Sequence, residues 1–221
     1  MPFTMTHLII SRNIREQLGK HIGNVSQFYL GSIAPDAVHN RADYISDYKK
    51  DSHLCVGAED WGMITNTDAS YSNTLRFLSE HKGSACWDFV LGYCAHILGD
   101  LYHAIHIWTP FRLSHADEME KGYDNAHHRD SNRVDIALAQ TYPHRDTFWR
   151  HLAESRSIDL PGIIYATEID KQKENILHVW YADKGEQDLS ANVFVTLESN
   201  AAFIQDATDY IVPILRRCLE G

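Results

Sequence analysis

Residues Ala85 to Ile107 read ACWDFVLGYCAHILGDLYHAIHI, an almost unbroken apolar stretch that nevertheless carries His96, Asp100, His103 and His106. A stretch apolar on most faces predicts a buried central helix, which Pro110 is expected to end. Burying an unpaired charge is expensive, so the four ionisable side chains between His96 and His106 must be satisfied by one another or by something bound. Residues four apart project to one side of a helix, so His96 and Asp100 can reach one cation together. Imidazole and carboxylate are donors suited to zinc and related divalent metals. An isolated His-x-x-x-Asp reads equally well as a hydrogen-bonded core pair. Gly99, between the two, costs about 1 kcal/mol of helix stability, which close approach of another helix would explain.

Helical periodicity extends outward from this stretch. Thr6 to Leu18 reads as a helix with Leu8, Ile9 and Ile14 inward and His7 in its first turn. A Gly- and Asn-rich loop follows, and Pro35 then starts a helix or tight turn with Asp36 at its beginning. Residues 40–60 are polar and irregular in part, with His53 among them. Further helices are expected at 70–80, 118–125, 128–140, 147–154 and 164–182, and at 192–219, where Pro213 suggests a kink or break. Residues 193–197 carry the only β-branched alternation, and it suits helix equally. With no solenoid repeat and no low-complexity linker, the chain reads as all-α: one helical bundle spanning residues 1–221 around the central helix that carries the ligands.

Composition narrows the chemistry. Lys and Arg number 20 against 30 Asp and Glu, a formal charge of -10, which disfavours nucleic acid as a bulk partner without forbidding a small phosphoester. Cys55, Cys86, Cys94 and Cys218 show no ribbon or redox spacing. With no secretory or membrane-length segment visible in the sequence, they point to the reducing cytoplasm. Fourteen histidines make metal chemistry the first hypothesis.

Four segments in order then carry a likeness: THLIISR from Thr6, GSIAPD ending at Asp36, SHL around His53, and LGYCAHILGD ending at Asp100. Together they resemble the zinc-dependent phospholipase C family, related to the P1-type nucleases, and look most like its short unsecreted bacterial members. The resemblance implies an all-helical hydrolase with up to three zinc ions; iron, manganese or nickel suit the same donors. His53, His96 and Asp100 would hold the first ion, Asp100 would bridge to a second bound by His7, and Asp36 would lie beside the activated water as base or orienting group.

The likeness frays downstream. The family's next histidine corresponds to His106, usually after a helix-breaking proline that this chain lacks. At about 100° per residue, an unbroken helix keeps His103 on the face of His96 and Asp100 and turns His106 about 80° away. The family's later His-x-x-x-Glu is not reproduced; the nearest histidines are His127 and His128 with Asp130, and after them His115 with Glu118. The classical members also use the mature amino terminus as a metal donor, but here Met1 and Pro2 stand only six positions before His7.

The expected function is therefore hydrolysis of a small phosphoester by metal-activated water, on a phosphodiester such as a phospholipid head group or on a phosphomonoester or nucleotide. The rival is a non-catalytic helical protein with a structural or sensing metal. Tyr29, Tyr44, Trp61, Tyr93, Tyr102, Trp108 and Phe111 supply rings for a cationic head group or for core packing. Other hydrolytic classes lack their signatures: there is no adjacent His-Asp dipeptide, no Gly-x-Ser-x-Gly elbow and no Gly-rich phosphate loop. Oligomeric state has no signature in the sequence.

Overall fold

The computed structural model describes residues 3–57, 59 and 62–220. Met1, Pro2 and Trp61, invoked above for a metal donor and an aromatic cage, lie outside them. Among the described residues the chain is all α-helical. An isolated bridge between Leu160 and Ile164 is its only β-type pairing.

The central helix α5, Trp87–His103, is buried at nearly every position from Phe89 to Leu101. Helix α1, Thr4–Leu18, buries Leu8, Ile10 and Ile14 and stops at Gly19, whose φ of 54° favours glycine. Helix α2, Val25–Gly31, begins where the Asn24 side chain accepts from Gln27 N, a standard amino-terminal cap. Its first turn lies in the Gly- and Asn-rich stretch read above as a loop. Its contact with α5 is backbone on backbone: a Cβ on Gly31 would run into the Phe89 carbonyl, and one on Gly92 into the Phe28 carbonyl. Gly99, by contrast, has Ile211 and the His7 ring at ordinary contact distances of 3.8 and 3.9 Å. The close approach expected at Gly99 is found at Gly92.

Pro110 does not end the central helix. Backbone winding widens into a π turn at Ala104–Trp108 and continues as α6, Thr109–Ser114. Proline lacks an N–H and its ring crowds the preceding turn, and a wider turn relieves both. The π turn is pinned from outside, since Trp108 Nε1 donates to Gly62 O at 2.7 Å and Thr109 Oγ1 to Ile64 O at 2.8 Å.

The remaining helices are α3 (Ser46–Ser52), α4 (Asp68–Glu80), α7 (Ala116–Met119), α8 (Ala126–Thr141), α9 (Arg145–Glu154), α10 (Ala166–Glu174) and α11 (Leu197–Glu220). Pro213 neither kinks α11 into two helices nor ends it. It is exposed between the buried pairs Ile211–Val212 and Ile214–Leu215, so the carbonyl left without a donor faces water. Residues 192–196 are neither strand nor helix. The apolar faces of α1, α2, α5 and α11 meet in one hydrophobic cluster.

Candidate metal centre

Four elements deliver side chains to one buried point. Helix α1 brings His7, a 3₁₀ turn at Pro35–Asn40 brings Asp36, the carboxyl end of α3 brings His53, and α5 brings His96 and Asp100. Pro35 at the head of the 3₁₀ turn sets the backbone that presents Asp36. His7 Nε2 lies 3.4 Å from Asp100 Oδ1, while His53 Nε2 and His96 Nε2 lie 3.3 and 3.6 Å from Asp100 Oδ2. Asp36 faces the same histidines, with Oδ1 3.5 Å from His53 Nε2 and Oδ2 3.9 Å from His96 Nε2. The sequence assignment of His7, Asp36, His53, His96 and Asp100 to one site thus corresponds to one cluster in space.

The outer faces of two rings are fixed by carbonyls. His96 Nδ1 lies 2.8 Å from Ser32 O and His53 Nδ1 lies 3.1 Å from Lys49 O. A carbonyl only accepts, so each Nδ1 carries a proton, and it is Nε2 that each ring turns inward as the nitrogen able to bind a cation. Tyr93 Oη donates to Ser52 O and so ties the end of α3 to the central helix.

The donors fit a cation. Nε2 of His7, Nε2 of His96 and both oxygens of Asp100 are buried without a hydrogen-bond partner, which is costly for polar atoms unless something bound satisfies them. Two groups of three ligand atoms lie close enough to hold an ion: His7, His96 and Asp100, and Asp36, His53 and His96. One Nε2 lone pair serves one ion, so the two groups are alternatives for His96. Asp100 could serve two ions, because its Oδ1 faces His7 while its Oδ2 faces His53 and His96.

Electrostatics agree. Burial would raise the Asp36 and Asp100 carboxyl pKa values, but Lys49, with His53 and His96 beside it, outweighs it for Asp36, and His96, with His53 and His7, outweighs it for Asp100. Both lie well below the usual range. Burial also opposes a charged His96, yet the neighbouring carboxylates prevail and raise its pKa. The pocket therefore favours positive charge at this spot. His7, lowered to about 4 by burial and by His96, keeps a free lone pair at neutral pH.

The other candidates divide. His103 is buried with its ring edge-on to His127 at 5.7 Å. His103 Nδ1 and His127 Nε2 are buried without hydrogen-bond partners, and burial lowers both pKa values, that of His127 to about 3. His106 is exposed, its ring 4.2 Å from that of Tyr102. Continuation of the helix past His103 thus places His103 inward and His106 outward. His128 is half-buried against Phe3 and Tyr123, and His115 stacks on Phe111. The downstream acids are engaged elsewhere: Asp130 Oδ2 accepts from Val193 N and Phe194 N at 2.8 Å each, and Glu118 caps α8 through Ala126 N at 2.7 Å.

A cavity of about 810 Å³ opens beside the cluster and is lined by Asp36, His127 and His128 with Tyr44, Trp108 and Tyr123. Lys49 and His39 also line it. The sequence reading missed both, because they sit in polar local sequence and only the fold turns them toward Asp36. Tyr29, Tyr93 and Tyr102, three of the rings proposed for a cage, belong to or pack against the hydrophobic cluster.

No family model, no curated protein and no solved structure matches this chain. No helix among the described residues is long and apolar enough to cross a membrane.

Proposed function

We propose that the chain is a metal-dependent phosphoester hydrolase, with zinc as the first choice of ion. The observation that carries this reading is Asp36, whose carboxylate faces His53 and His96 and also lines the 810 Å³ cavity, so that one side chain joins the buried donors to a space large enough for a substrate. His53, His96 and Asp100 would hold one ion, His7 with Asp100 a second, and His103 with His127 are the donors nearest to a further one. When bound, such ions supply Lewis acidity toward a phosphoryl oxygen and bring the ionisation of water toward neutral pH.

Asp36 orients the attacking water. Its Oδ1 accepts from Lys49 Nζ at 2.8 Å, which leaves Oδ2 toward His96 as the oxygen for a water proton. A carboxylate held well below its usual pKa is a weak base at neutral pH, so orientation is its larger contribution. Water adds to phosphorus, the ester P–O bond breaks, and the alcohol leaves with a proton. Four free cysteines fit work in the reducing cytoplasm.

A structural or sensing ion is the second reading, favoured by the near-complete burial of His7, His53 and His96. Elemental analysis before and after reconstitution separates the two readings when combined with assays on bis(p-nitrophenyl) phosphate, p-nitrophenyl phosphate and phosphatidylcholine. The hydrolase reading expects turnover that follows metal content and falls in Asp36→Asn while most of the metal stays. A protein that cannot be loaded, or that is loaded and inert on all three, defeats it.

A further inference from the structure

The cavity wall beside Asp36 holds a positive charge that the metal donors do not include. Lys49 is 6% exposed, and its Nζ donates to Asp36 Oδ1 at 2.8 Å and contacts His39 Nε2 at 3.1 Å. An ammonium only donates, so His39 Nε2 is the acceptor and the His39 proton sits on Nδ1. Burial and the Lys49 charge lower the His39 pKa to about 4; the ring is neutral and adds no second charge. Among the described residues lining the cavity, Lys49 is the one lysine or arginine and Asp36 the one carboxylate.

Keeping an ammonium at this depth is costly, and a methionine would fill a similar volume. The carboxylate opposite is shared, since both of its oxygens also face histidines of the metal cluster. A quaternary ammonium could find rings in Tyr44, Trp108, Tyr123 and Trp180, but it would meet the like charge of Lys49 and no carboxylate of its own.

We propose that Lys49, braced by Asp36 and His39, binds a phosphate oxygen of the substrate and makes the cavity select a terminal, dianionic phosphate over a zwitterionic phosphocholine head group. The substrate class is then a phosphomonoester. This deepens the phosphoester reading and rests on it for the reaction, but the binding preference can be measured without turnover.

The test is calorimetric titration of the protein, as purified and after zinc reconstitution, with inorganic phosphate and with glycerophosphocholine, a soluble phosphodiester that carries the zwitterionic head group. Wild type is expected to bind phosphate about tenfold more tightly or better, the scale of one charge-assisted hydrogen bond. Lys49→Met should weaken phosphate about tenfold and leave glycerophosphocholine unchanged or tighter, while Lys49→Arg keeps the preference; metal content and thermal unfolding are measured for each variant. Equal affinities in wild type, or tighter glycerophosphocholine, overturn the inference even if the protein hydrolyses diesters. If Lys49→Met fails to fold, the wild-type comparison still decides. Phosphate preference with no hydrolysis of any ester defeats the hydrolase reading and leaves the anion site standing.

Discussion

His7 lies flat against His96, with ring centroids 3.7 Å apart and planes 11° apart, and both Nε2 atoms face Asp100. Two imidazolium rings at that distance would repel strongly, so the pair carries at most one positive charge near neutral pH. Its charge state follows: His7 is lowered to about 4 and His96 is raised.

Loading the centre should release protons, because a cation displaces the one that the carboxylates favour on His96. His96→Ala and Asp100→Ala should weaken metal binding by about 100-fold or more, beyond the 10- to 100-fold typical of a change outside the ligand shell. His7→Ala should keep one equivalent on His53, His96 and Asp100. Competition with a chromogenic chelator, run in two buffers of different ionisation enthalpy, reads affinity and proton release together. Full retention of metal in His96→Ala would move the centre elsewhere.

His103 and His106 should separate cleanly. His106→Ala removes an exposed ring resting on Tyr102 and should change stability by no more than about 0.5 kcal/mol, with metal content unchanged. His103→Ala and His127→Ala should each lower the zinc content of saturated protein by one equivalent. Elemental analysis of the three variants checks this, and metal lost only from His106→Ala would reverse the assignment.

Gly92→Ala and Gly99→Ala give opposite expectations from the same chemical change. A methyl at Gly92 meets the Phe28 carbonyl and should cost about 3 kcal/mol or more through forced separation of α2 and α5. At Gly99 the neighbours are 3.8 Å away or farther, so alanine should be neutral or add up to about 1 kcal/mol through helix propensity. Denaturant unfolding of both variants measures the difference, and similar stabilities would contradict the backbone contact.

Asp135 should impose an inverse pH dependence. It is buried and accepts from Met5 N at 2.8 Å and Tyr181 Oη at 2.6 Å, yet burial prevails and raises its pKa from 3.8 to about 6. Between these values the unfolded chain gives up the proton first, so stability falls as pH rises, by roughly 3 kcal/mol in all. Below the window both states are protonated, and above it the loss is constant. The stability of Asp135→Asn relative to wild type should therefore increase by about that amount from pH 3 to pH 7. A difference that stays flat across the range would show that Asp135 titrates normally.

Local pattern announced the central helix, because apolar residues cover its whole circumference, and it announced the ligands on it, because His96 and Asp100 are one turn apart. Helix α2 was hidden, since it is short and its packing rests on Gly31 and Gly92 meeting from distant parts of the sequence. Pro110 and Pro213 read as stops for a similar reason: whether a missing N–H ends a helix depends on the winding and exposure of the neighbouring turn, which lie outside local pattern. His39 and Lys49 were illegible because the wall they form is assembled from the Pro35–Asn40 turn and α3, and their neighbours in sequence are polar. His103 could be told from His106 only by knowing that the helix continues.

Gly92 lies one turn before His96 on α5, and Gly31 immediately precedes Ser32, whose carbonyl receives the His96 Nδ1 proton. The two glycines act as a mechanical stop for sliding of α2 along α5, and the stop sits one helical turn from the bond that selects the His96 tautomer. A slip of even half an ångström between those backbones would lengthen a 2.8 Å contact and free the ring to flip its donor and acceptor edges. A side chain at either glycine would thus be felt as a change in which nitrogen of His96 faces the centre, at a ring that neither glycine touches.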